Sequence, residues 1–130
     1  MPRPTLNAIA PCFIVSSVPA SVAFYRDQLN FAVTHLEPAA DPFFAIVERD
    51  HAMLMLKAVG APPAPNASLH PWARWDAYIN TPDPDSLAAE FASRNVAFSQ
   101  PLQDTTDGLR GFELRDPDGY VIFFGRPREN

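Results

Sequence analysis

Three histidines, one cysteine and 15 acidic residues supply nearly all the groups that could do chemistry in this chain of 130 residues. The histidines are far apart. His51 follows Arg49 and Asp50 in what reads as a hairpin turn, His70 lies in the loop before Trp72, and His35 reads as an exposed strand residue. Joining His51 or His70 to Glu48 or Glu113 gives no spacing that matches a metal-ligand pattern. Cys12 has no base beside it and no GxSxG occurs, so nucleophilic catalysis has little support. Free cysteines are commonly small buried residues, and Cys12 is expected to be one. Asp116 and Asp118 look like paired carboxylates, yet "DPDG" is turn chemistry first. The five glycines form no phosphate-binding loop. What the chain has in quantity is aromatic surface: Phe44, Trp72, Trp75, Tyr78, Phe112 and Phe123 could stack on a planar ring or attract a cation.

The elements that position these residues belong to one compact domain, with enough chain for a single sizeable core. A hydrophobic content of 47% argues against disorder. Net charge is −5, which speaks against a nucleic-acid partner and weakly favours a cationic ligand. The lone cysteine excludes an intramolecular disulfide framework. No secretion signal or membrane span is visible, so the expected compartment is the cytoplasm, with no membrane partner. Fifteen prolines are many, and their cluster "APPAPNAS" reads as a stiff, exposed connection.

That connection joins two copies of one pattern. "SVAFYRDQLNFAV" (21–33) lies over "SLAAEFASRNVAF" (86–98) at an offset of 65 residues, which is also half the chain. Extended upstream, the same offset sets Phe13 and Ile14 over Tyr78 and Ile79. Strand-length runs (10–15 and 75–80) precede two helices, which Ser17 and Asp83 can cap, with Pro19 and Pro84 in their first turns. Val18, Val22, Tyr25 and Leu29 share one face of the first helix; Leu87, Phe91 and Arg94 share one face of the second. Both helices end at an asparagine, Asn30 and Asn95, suited to a left-handed C′ position. Three strands follow each helix. The chain therefore reads as α+β: two βαβββ modules, at about 6–58 and 72–127, joined by a Pro-rich linker at 60–71. A βαβββ sheet is covered by its helix on one face only, so paired modules make a curved mixed sheet around a concave cavity.

Three stretches, "FIVSSVPASVAFYRDQLNF", "AYINTPDPDSLAAEFASRNVAF" and "GFELRDPDGYVIFF", resemble the vicinal oxygen chelate superfamily of glyoxalases, bleomycin-resistance proteins and dioxygenases. Asparagine replaces the usual glycine after each helix, and Ser17 stands where aspartate is common. The resemblance implies paired βαβββ modules and, in the enzymes, a divalent metal held by side chains on the first and last strands of each module. Carried over, those positions fall on Ala10, Met55, Trp75 and Phe123. None offers an oxygen or an imidazole nitrogen. A one-residue slip would put Asp76 in place of Trp75 and add no ligand elsewhere.

The expected function is therefore metal-independent binding of a small molecule, similar to the bleomycin-resistance branch and with no cofactor. The expected ligand is aromatic, with a cationic one weakly favoured by the net charge, held by Trp75, Met55, Phe123, Phe44 and Trp72. No catalytic residue and no metal site is assigned. The alternative is a glyoxalase-like lyase or isomerase, or a dioxygenase, with a non-standard divalent metal site. Similarity to the superfamily also implies a homodimer.

Overall fold

A computed structural model describes residues 2–129. The first module runs β1 (Cys12–Ile14), α1 (Val18–Ala23) continuing as a π-helical turn (Phe24–Gln28), then β2 (Ala32–Glu37), β3 (Phe44–Arg49) and β4 (Ala52–Lys57). A one-turn α2 (Asn66–Leu69) interrupts the connection. The second module runs β5 (Ala77–Asn80), α3 (Pro84–Ser93), β6 (Phe98–Asp104), β7 (Leu109–Arg115) and β8 (Val121–Pro127). Each module folds into its own four-stranded sheet, in the orders β1-β4-β3-β2 and β5-β8-β7-β6, so the α+β architecture of two βαβββ modules holds. In each sheet the first and last strands pair in parallel and the other neighbours pair antiparallel.

The helices start and stop where their caps dictate. Ser17 accepts a hydrogen bond from the amide of Ala20 at 3.2 Å, and Asp83 accepts one from Ser86 at 3.1 Å. Asn30 and Asn95 take φ of 60° and 63°, the left-handed C′ conformation. Val18, Val22, Tyr25 and Leu29 are all buried, as their spacing predicts. On α3 the buried face is Pro84, Ala88 and Phe91, while Leu87 and Arg94 sit at its margin. Phe91 alone stabilises this packing by roughly 2–3 kcal/mol through removal of its ring from water.

The repeat contains a slip that one constant offset conceals. Phe13 is buried against the helices, whereas Tyr78, 65 residues on, is exposed on the opposite face of its sheet. Strand neighbours face opposite sides, so Phe13 corresponds to Ile79 and Cys12 to Tyr78. The N-caps Ser17 and Asp83 are likewise 66 residues apart, but Asn30 and Asn95 are 65 apart. The π-helical turn accounts for the difference: it accommodates one residue more than an α-helix between the same two ends. Strand β1 is also shorter than expected, and Cys12 is exposed rather than buried, because Phe13 takes the inward position.

The helix-side faces of the two sheets share one continuous core, reached by Phe13, Leu54 and Leu56 from the first and by Phe112, Ile122 and Phe124 from the second. Polar contacts fix the modules to each other. Phe13 and Tyr120 stack with centroids 4.3 Å apart, and the Tyr120 hydroxyl donates to the Ile14 carbonyl at 2.6 Å. The Tyr25 hydroxyl donates to Asp116 at 2.9 Å, while Asp116 also accepts the amides of Asp118 and Tyr120, the turn chemistry expected of "DPDG". Burial pushes the Tyr25 phenol well above its usual range and raises the Asp116 carboxyl despite that hydrogen bond. Arg49 makes a two-pronged ion pair with Glu90, both contacts at 2.8 Å.

The Pro-rich connection is more than an exposed spacer. Pro65 is buried, the Ala64 amide donates to the Tyr120 hydroxyl, and the Asn66 amide donates to Asp76 at 2.7 Å. Residues 64–76 thus form a strap lashed to the start of β8.

Candidate functional site

Strand alternation leaves each sheet with one face turned away from the shared core, and the registers set matching rows across the two faces. On the first, Cys12, Met55, Ile46 and His35 stand side by side. On the second, the corresponding row is Tyr78, Phe123, Glu113 and Gln100.

The second row is built around Phe123. Its ring lies flat over two glycines: a Cβ added at Gly111 would come within 2.6 Å of the ring, and one at Gly125 within 2.5 Å. Only glycine at both positions leaves room for the ring to rest on the backbone. Trp75 stacks on Phe123 with centroids 4.7 Å apart and Tyr78 stacks at 5.6 Å, leaving Phe123 2% exposed. Beside it, Glu113 is 9% exposed and accepts one hydrogen bond, from the Ser99 hydroxyl at 3.0 Å. A cleft of about 400 Å³ opens here, lined by Phe123, Val121, Glu113, Arg115, Gln100 and Arg74 among others. The Arg74 guanidinium sits over the Trp75 ring, 4.7 Å from its centroid, and bonds Asp107 at 3.0 Å. The Trp75 indole N–H is buried and meets no acceptor.

The first row has no such cover. Met55, Ile46 and Phe44 are half-buried, Cys12 is exposed, and His35 meets only the edge of Phe44, at 6.0 Å. Of the five residues expected to bind ligand, Trp75 and Phe123 are thus in contact on the second sheet, while Met55 and Phe44 lie on the first. Trp72 is 76% exposed on the strap, stacked on His70. A second, larger cleft of about 850 Å³ runs along the free edge of β5, over Phe31, Leu54, Phe91 and Phe124. Neither cleft is lined by residues of both sets. Arg74 was not singled out from the sequence, Tyr78 only as one of the aromatic residues able to stack, and Glu113 only as a possible partner of a histidine. The signal for their neighbourhood was available: a glycine inside a strand, as at Gly111 and Gly125, marks a close approach to backbone.

The corrected repeat also changes the metal positions that the resemblance implied. Ala10 now corresponds to Asp76 rather than Trp75, so the set is Ala10, Met55, Asp76 and Phe123. Asp76 is the one carboxylate, and each of its oxygens already accepts a backbone amide: Oδ1 that of Asn66 and Oδ2 that of Val121 at 2.8 Å. Among the described residues, no group of three His, Cys, Asp or Glu side chains is arranged to hold a metal ion. These residues do not fit the metal centre of the superfamily's enzymes.

The model of the Glyoxalase/Bleomycin resistance protein/Dioxygenase superfamily matches residues 5–124. The chain belongs to this superfamily. No curated protein matches the sequence. Among solved structures, TioX from Micromonospora sp. ML1 is similar with a TM-score of 0.74 and 19% identity, covering 92% of this chain and 98% of that one. A bleomycin-binding protein from bleomycin-producing Streptomyces verticillus, complexed with copper(II)-bleomycin, gives 0.70 at 24% identity, covering 98% of this chain and 100% of that one. TnmS3, an antibiotic binding protein from Streptomyces sp. CB03234, gives 0.67 at 21% identity, covering 98% of both chains. At these identities the superfamily fold is what is shared.

Proposed function

We propose that this superfamily member binds a small molecule without a metal, in the manner of the bleomycin-resistance proteins, and sequesters an aromatic, cationic ligand in the cytoplasm. The observation that carries the reading is the aromatic floor of the second sheet. Trp75, Phe123 and Tyr78 stack at 4.7–5.6 Å, and Phe123 lines a cleft together with the largely buried carboxylate of Glu113 and with Arg74. Rings provide stacking area and a carboxylate provides a counter-charge, which suits a planar cation. Solved relatives of the same fold include a bleomycin-binding and an antibiotic-binding protein, which supports the class of ligand.

The reading includes a homodimer. Met55 and Phe44 cannot reach the cleft beside Phe123 from their own sheet, so a site using all five expected residues takes the first sheet of a second copy as its other wall. Among the described residues no helix is long and apolar enough to cross a membrane.

Tryptophan fluorescence during titration with proflavine, a planar cation, tests the reading. Quenching in the wild type that disappears in Trp75→Ala, with far-UV circular dichroism unchanged, is the expected result. Quenching that survives the substitution would move the ligand elsewhere. The competing enzyme reading predicts one bound divalent metal per chain or per dimer after loading and removal of excess; Asp76, with both oxygens engaged by backbone amides, argues against it.

A further inference from the structure

We propose that Arg74 is the resident occupant of the ligand's stacking position, and that the site selects planar, delocalised cations because they replace Arg74 like for like. The proposal rests on the reading of the second-sheet face as the binding site. Two groups already lie against the Trp75 ring. Phe123 covers one, with centroids 4.7 Å apart and planes 26° from parallel. The guanidinium carbon of Arg74 is also 4.7 Å from the indole centroid. Arg74 thus holds a stacking position on the indole in addition to that of Phe123. A ligand ring can reach Trp75 there only by displacing it.

The slot that Arg74 fills defines its replacement. An indole face forms its base, and the Asp107 carboxylate stands at its edge, accepting from Arg74 at 3.0 Å and from the Thr105 hydroxyl in the β6–β7 turn. Such a slot fits a flat group that carries positive charge and in-plane N–H donors: a guanidinium, an amidinium or a protonated aromatic amine. Arg74 is held loosely enough to leave. Its side chain is 51% exposed and that of Asp107 47%, and exposed ion pairs of this kind contribute little. The buried Trp75 N–H without an acceptor is a second mark against a finished structure at this point. Lifting the strap at Arg74 and Trp75 would return that donor to water or to an acceptor on the ligand.

Proflavine and the neutral, similarly shaped 9-acridone are the probes, titrated against wild type, Arg74→Gln, Trp75→Ala and the double variant Arg74→Gln/Asp107→Asn. Arg74 is half exposed, so its replacement leaves the fold intact, as circular dichroism will verify. Arg74→Gln should tighten proflavine about fivefold, the worth of one exposed cation–π contact and ion pair. Acridone should gain less, and adding Asp107→Asn should erase the proflavine gain. Proflavine affinity that is unchanged or weaker in Arg74→Gln, while Trp75→Ala still abolishes binding, overturns the role of Arg74 and leaves the site standing. Proflavine binding that ignores Trp75, or no binding to any variant, overturns the site and this proposal together.

Discussion

The outward faces of the two sheets are the same construction finished in two ways. The first module's row of Cys12, Met55, Ile46 and His35 is open: Cys12 and His35 are exposed, and Met55 and Ile46 are only half-buried. The second module's row of Tyr78, Phe123, Glu113 and Gln100 is roofed, because the 64–76 strap folds back and lays Trp75 on Phe123. Equal strand registers therefore give a bare wall in one module and a furnished cleft in the other. The difference lies in the strap that precedes β5 and in the glycines of β7 and β8, Gly111 and Gly125, where the first sheet has Phe44 and Lys57.

Replacing the corresponding residues Phe123 and Met55 is the strongest way to break this comparison. Phe123→Ala should cost about 3–5 kcal/mol in urea unfolding, as for a fully buried ring. Met55→Ala, half-buried and uncovered, should cost about 1 kcal/mol. Equal costs would mean that the two faces are covered alike. Gly111→Ala comes next, at about 2–3 kcal/mol, because its Cβ meets the Phe123 ring and the Phe124 carbonyl. In a Phe123→Ala background part of that cost should vanish, since the clash with the ring has gone while those with the Phe124 carbonyl and the Gly125 Cα remain; strict additivity would show that the ring does not rest on Gly111.

A smaller effect concerns the joint between the modules. Hydrogen bonding to Arg49 holds the Glu90 carboxyl below its ordinary value of 4.5. A depressed carboxyl contributes stability that is fully present above its unfolded value and is lost as pH falls through the folded one. Glu90→Gln should therefore flatten the decline in urea midpoint below about pH 4.5 and cost about 1 kcal/mol or less at neutral pH. An acid limb identical to wild type would assign the decline to other carboxyls. The smallest effect is kinetic. Cys12 is the exposed thiol of the bare face, so maleimide should label it readily in dilute protein and several-fold more slowly where a second copy covers that face. A rate independent of protein concentration would place any dimer contact elsewhere.

Much of the fold was legible because its signals are local. Ser17 and Asp83 announce the helix starts, Asn30 and Asn95 the stops, and apolar periodicity the buried seam of α1. The face of β1 was not legible: the π-helical turn leaves no mark in composition, and one hidden residue reverses every assignment upstream of it. The strap was missed for a related reason. Prolines and small residues from Ala61 to Ser68 read as exposed linker, and the contacts that fasten them, Ala64 to Tyr120 and Asn66 to Asp76, reach forward as far as 56 residues. Trp75 and Phe123 were expected together from the positions the superfamily resemblance assigns them, and their rings do stack. Arg74 carried no signal, because a guanidinium stacked on an indole looks in sequence like any surface arginine.

The π-helical turn also says something about the chain's freedom to change length. Between Tyr25 and Asn30 there are four residues, and between Phe91 and Asn95, the matching pair in α3, there are three. One of Arg26, Asp27, Gln28 and Leu29 is therefore surplus to the repeat, and of these only Leu29 is committed to the core. The wide turn has absorbed an added residue without rotating Val18 and Val22 away from the core on one side or displacing Asn30 on the other. The helix of the first module is thus a place where the gene can gain or lose a codon while both sheets keep their register.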